Sequence, residues 1–123
     1  MCLYTNNKYP YTAEEDIVVY KILDENLRSP YQDFQYELNK EYIQEEKKEI
    51  INYFPIAIGF GYFHAFRTRE LAIDKIKSIY IWKRVGLKLF KAVILKGSNY
   101  YIDMHNEQIC GDRIKIIEEI KVK

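Results

Sequence analysis

Hydrophobic and polar positions fall into short blocks along this chain, and most of the blocks have the period of a strand. Ile17-Val18-Val19-Tyr20-Lys21-Ile22-Leu23 is β-branched and nearly all apolar, the pattern of a central strand buried on both faces. Phe34, Tyr36 and Leu38 alternate with Gln35 and Glu37, which predicts a half-exposed strand. Asn39-Lys40 reads as a turn leading into a short strand at 41–43. Residues 56–66 are strand-like but carry Gly59 and Gly61, which suggests a bulge or a close backbone approach. Residues 87–95 form a second buried strand, Lys96-Gly97-Ser98 a tight turn, and residues 99–103 its hairpin partner. A closing strand over 113–122 alternates at Ile114, Ile116, Ile120 and Val122.

Two segments have helical character. Residues 45–53 place glutamates in a first turn, with Ile50, Ile51 and Phe54 available for a core and Pro55 as a stop. Thr68 is positioned as the N-cap of a stronger helix, with Ala72, Ile76, Ile79 and Tyr80 on one face and Gly86 beyond its end. Residues 1–13 have no period and read as a loosely held arm, with Thr12 capping the acidic turn 13–16. The strands are not regularly interleaved with helices. The expected fold is therefore α+β: one domain over 1–123, a mostly antiparallel or mixed sheet with about two helices, and 1–15 as an arm.

Composition agrees with a folded domain. The 123 residues are 48% hydrophobic and 30% charged, enough for one core. No stretch approaches the roughly 20 apolar residues that cross a bilayer, and the N-terminus lacks a signal-peptide pattern, so a cytoplasmic, membrane-free protein is expected. Cys2 and Cys110 supply no disulfide framework, and with His64 and His105 they have no zinc spacing, so no metal and no cofactor is expected. Twelve tyrosines, six phenylalanines and one tryptophan suit half-buried sheet faces, interfaces and stacking surfaces alike.

Charge is distributed unevenly. Residues 1–66 hold 6 Lys/Arg against 11 Asp/Glu, net −5, and residues 67–96 hold 9 against 2, net +7. The basic block is Arg67, Arg69, Lys75, Lys77, Lys83, Arg84, Lys88, Lys91 and Lys96, with Tyr80 and Trp82 interleaved. Cations attract phosphates through counterion release and aromatics offer stacking platforms. The block is thus a candidate surface for nucleic acid or for an acidic protein face, or it solvates a helix and balances the acidic half.

Catalytic motifs are scarce. His64 sits at a strand end beside the glycine pair and two arginines, a setting for anion binding or acid–base work as well as for a structural histidine. Neither a phosphate loop nor a G-x-S-x-G elbow is present, and Glu118-Glu119 on a strand face opposite ways.

Three groups of segments in order carry a resemblance: Asp16 to Lys21 leading to Ser29-Pro30-Tyr31-Gln32-Asp33-Phe34-Gln35-Tyr36-Glu37, Phe63-His64-Ala65-Phe66 with Ala72, and Lys96-Gly97-Ser98-Asn99-Tyr100-Tyr101. Together they resemble a group of small accessory proteins of bacteriophages and Bacteroides-like bacteria, marked by GFQYE, GFH and KGS-YY segments and without an established activity. The chain departs from that group at Asp33 and Tyr62, where the group has glycine. The resemblance implies phage or mobile-element provenance. Such provenance suggests a non-enzymatic binding protein that blocks a bacterial defence system, in the manner of an anti-CRISPR, by engaging a host protein or nucleoprotein complex. Its binding residues would be Arg67, Arg69, Lys75, Lys77, Tyr80, Trp82, Lys83, Arg84 and Lys88. The alternative is a nucleotide- or NAD-handling domain distantly like ADP-ribosyltransferases, using Tyr36, His64 and Arg67.

Overall fold

A computed structural model describes residues 3–5, 9–29, 34–44, 49–50, 56–58, 62–78 and 86–121. The chain is one small domain of mostly antiparallel sheet with, among the described residues, one helix. Its elements in order are β1 (Leu3–Thr5), β2 (Tyr11–Thr12), β3 (Ile17–Asp24), β4 (Glu41–Ile43), β5 (Glu49–Ile50), β6 (Ile56–Ile58), β7 (Phe63–Phe66), α1 (Arg69–Ser78), β8 (Leu87–Ile94), β9 (Asn99–Ile102), β10 (Gln108–Gly111) and β11 (Arg113–Ile120). The main sheet runs β2-β9-β10-β7-β3-β8-β11-β4, and β1-β6-β5 form a second, three-stranded sheet. Every named strand pair is antiparallel.

Strand β3 lies at the centre, as its apolar run requires. Val19 and Leu23 face an interior shared with Phe63, Ala65, Phe90, Ala92, Ile94, Ile109, Ile114 and Ile116. On the opposite face Ile22 and Leu89 lie under α1, against Ala72, with Ile73 and Ile76 beside them. Burial on both faces stops short of the strand's start, where Val18 is exposed. The helix begins where its cap predicts: the Leu71 amide donates to Thr68 Oγ1 at 3.2 Å.

Consecutive strands lie far apart in the sheet, and this forces a corner. β8 and β9 are joined by only 95–98, and β10 and β11 by Asp112 alone, yet both connections carry the chain between distant positions in the strand order. One long two-stranded ribbon, β8 with β11 continuing into β9 with β10, is therefore bent across the sheet. Asp112 fastens the bend: its amide donates to the Asn99 carbonyl at 3.1 Å, and its carboxylate accepts from the Asn99 amide at 2.9 Å. Gly111 lets the layers close, because a Cβ there would meet Ile94 Cγ2 at 2.8 Å. Gly97 turns the other connection with φ +89°, a conformation costly for other residues.

Several expectations are corrected by this arrangement. Lys96-Gly97-Ser98 is not a hairpin turn, since β9 pairs with β10 and β2 while β8 pairs with β3 and β11. Within the expected helix 45–53, Glu49–Ile50 is a strand paired to β6, where cross-strand pairing outweighs the weak helical preference of a glutamate-rich segment. The remainder of that segment lies outside the described residues, as do Gly59 and Gly61. The strand expected over 56–66 is two strands in different sheets. Residues 34–38 are not a regular strand but make isolated bridges, Arg28↔Gln35 and Leu38↔Ile116. The described residues of the N-terminal arm are tied to the sheets: Thr5 is fully buried and its hydroxyl donates to the Ile102 carbonyl at 2.7 Å, and Thr12 belongs to β2 rather than capping a turn. A bulge between Ile116 and Glu118 reverses the alternation of β11, so Ile114 and Ile116 face the interior while Ile120 lies under α1.

Candidate binding surface

Of the proposed binding residues, those described each have a partner within the chain. Arg67 extends β7, its amide donating to the Glu107 carbonyl at 2.9 Å and its guanidinium to Asn106 Oδ1. Arg69 opens α1 and donates to the Lys121 carbonyl at 3.4 Å. Lys75 and Lys77, in the last turn of the helix, have intramolecular partners. Lys88 forms an ion pair with Glu119 at 3.4 Å. Tyr80, Trp82, Lys83 and Arg84 lie outside the described residues.

A different set of cations does share one face. In β8, Phe90, Ala92 and Ile94 point inward, so alternation turns Lys91 outward; in β11, Ile114 and Ile116 point inward and turn Arg113 and Lys115 outward. Lys115 stands opposite Val93, two residues along from Lys91. The Arg113 guanidinium reaches the adjoining turn, 3.9 Å from where a Cβ on Gly97 would sit, next to exposed Lys96. Lys91, Lys115 and Arg113 thus form a strip along the outer side of the β8–β11 ladder, with Lys96 exposed in the turn at its end. Among the described residues none of the four is in an ion pair. Glu118 and Glu41 stand opposite Lys91 and Lys115 in register without bridging to them. Exposed Val18 lies opposite Val93 on the same face and supplies an apolar centre.

Two of these four cations, Lys91 and Lys96, belong to the basic block visible in the sequence. Arg113 and Lys115 do not; they lie in a segment whose net charge is −1. Strand alternation around Ile114 and Ile116 was the available signal, and only the β8–β11 pairing joins the two pairs of cations.

Tyr36, His64 and Arg67 do not line one open site. Tyr36 is 1% exposed and sits in an aromatic cluster with Phe34, Tyr42 and Phe63, at centroid distances of 4.7, 5.3 and 6.2 Å. Burial, with the neighbouring Tyr42 adding to it, pushes the Tyr36 hydroxyl above the ordinary tyrosine range. His64 is 8% exposed, and alternation with Phe63 and Ala65 turns its ring to the other face of β7. Arg67 is held at the Asn106 turn.

What joins Tyr36 to His64 is a residue that the sequence did not single out. Lys21 is 6% exposed, its ammonium donates to the His64 carbonyl at 2.6 Å, and it lies 5.3 Å from the centroid of the Tyr36 ring. Desolvation lowers it from its ordinary 10.5 to about 8.

Cys110 is buried and packed with Tyr62 and Tyr101. Among the described residues no group of three or more His, Cys, Asp or Glu is placed to hold a metal ion, and no helix is long and apolar enough to cross a membrane. Comparison with protein-family models, with curated proteins and with solved structures yields no match.

Proposed function

We infer that this chain is a non-enzymatic binding protein that engages an anionic partner through the outer face of β8 and β11. The observation that carries this reading is the strip of Lys91, Lys115 and Arg113 on the outer face of β8 and β11, with exposed Lys96 in the adjoining turn, four cations of which none is in an ion pair among the described residues. Unpaired surface cations lose little on meeting an anionic partner, because no internal ion pair has to break first. Together with the resemblance to phage accessory proteins, this favours a bacterial nucleoprotein complex as the partner and inhibition of a host defence system as the role.

The test is the triple variant Lys91→Glu, Arg113→Glu, Lys115→Glu, assayed by fluorescence anisotropy against a labelled single-stranded RNA over about 50 to 200 mM salt. The expected outcome is salt-sensitive binding by the wild type, with a log–log slope steeper by roughly 0.7 for each cation engaged, and loss of that slope in the variant. Equal affinity of the two proteins at every salt concentration overturns the assignment of the face.

A further inference from the structure

The eight-stranded order has its midpoint between β7 and β3, with four strands on either side. The two ladders flanking β3 are very unequal. β3 pairs with β8 along its whole length, from Ile17↔Ile94 to Asp24↔Leu87, but with β7 only at Tyr20↔Phe66. One and two residues beyond that pair, an antiparallel ladder would set Lys21 against Ala65 and Ile22 against His64, and neither pair forms. In their place the Lys21 side chain crosses the gap from inside and donates to the His64 carbonyl at 2.6 Å. On the outside α1 covers the same line, with Ala72, Ile73 and Ile76 packed among Ile22, Tyr20, Phe66 and Leu89.

The seam is thus closed by one ladder pair, one buried ammonium and one short helix, with Val19 and Leu23 sharing the interior with Phe63 and Ala65. An ammonium out of water is stabilised only as far as its partners replace hydration. Lys21 has the His64 carbonyl from β7, with the His64 imidazole on the far face. The 34–44 segment contributes Tyr36, with Tyr42 behind it, and β8 opposes it with uncharged Phe90. No carboxylate of the described residues is in an ion pair with it.

We propose that the β3/β7 seam is a proton-responsive hinge, which opens locally ahead of global unfolding and whose open form is favoured by proton uptake at Lys21. The sign follows from burial. Closed, Lys21 releases its proton near pH 8; with water admitted it returns towards its ordinary 10.5. The open form therefore binds more protons between these values, and the opening constant falls by about tenfold from pH 7 to 9.

Native-state hydrogen exchange, corrected for intrinsic amide rates, reads this directly. Amides of β7 and of residues 20–22 are expected to exchange through an opening of lower free energy than those of the β8–β11 ladder, and to gain about tenfold protection from pH 7 to 9. In Lys21→Met the same amides should be better protected at pH 7 and show no such gain. Seam amides that exchange only with the β8–β11 ladder in the wild type overturn the hinge, whether or not the variant folds. An unchanged pH dependence in Lys21→Met overturns the role of Lys21.

Discussion

Lys21 and Lys91 stand one row apart on the same ladder, Lys21 opposite Phe90 and Lys91 opposite Tyr20. That single step sends one lysine into the core and the other onto the outer face. Inside, an ammonium must be satisfied by a main-chain carbonyl and an aromatic ring, and its proton becomes easier to lose. Outside, the same side chain stands partly in water, opposite Glu118 and diagonal to Lys115. Residue type alone therefore says little about the role of a lysine in a strand; the face on which it falls decides between an internal constraint and a contact surface.

The comparison can be broken from the inside first. Tyr36→Ala removes a fully enclosed ring from the aromatic cluster and from above Lys21, and should cost about 3–5 kcal/mol in chemical denaturation. A loss below about 1 kcal/mol would mean that the interior collapses readily around the gap. Next comes the pH dependence of global stability. Lys21 has a lower value folded than unfolded, so its unfavourable contribution is full below pH 8 and is relieved as pH rises towards 10.5. Wild-type stability should gain on the order of 3 kcal/mol from this group across that window, and Lys21→Met should lack the gain. Tyr36, held above its ordinary value, opposes the trend only above pH 10. The smallest effect is expected outside: Lys91→Glu should leave stability within about 0.5 kcal/mol of the wild type. A larger loss there would show that the outer lysine also serves the fold.

Elements with a strong local signal were legible in the sequence. The apolar run of β3, the turn at Asn39, the strand Glu41–Ile43 and the Thr68 cap all appear where pattern and turn chemistry place them. Pairing was not legible. Lys96-Gly97-Ser98 has hairpin chemistry, and what sends β9 to the far side of the sheet is the ribbon bend at Gly111 and Asp112, which depends on a close approach to Ile94 from elsewhere in the chain. β10, four residues long and containing a glycine and a cysteine, is too short to show a period. The bulge after Ile116 likewise reverses a face without any mark in the pattern. The candidate surface was half legible for the same reason. Lys91 and Lys96 belong to an obvious basic block, while Arg113 and Lys115 join them only through strand register.

The bent ribbon has a consequence for how the chain is made. β3 is synthesised early, yet its principal partner β8 ends at Ile94, and β8 in turn pairs with β11, which closes at Ile120. An emerging chain cannot complete the interior over Val19 and Leu23 until Ile114 and Ile116 have left the ribosome. Folding is therefore set by pairings distant in sequence, with a correspondingly slow search and an apolar strand exposed in the interval. Loss of β11 by truncation would leave β4 without its neighbour in the main sheet and β8 paired to β3 alone.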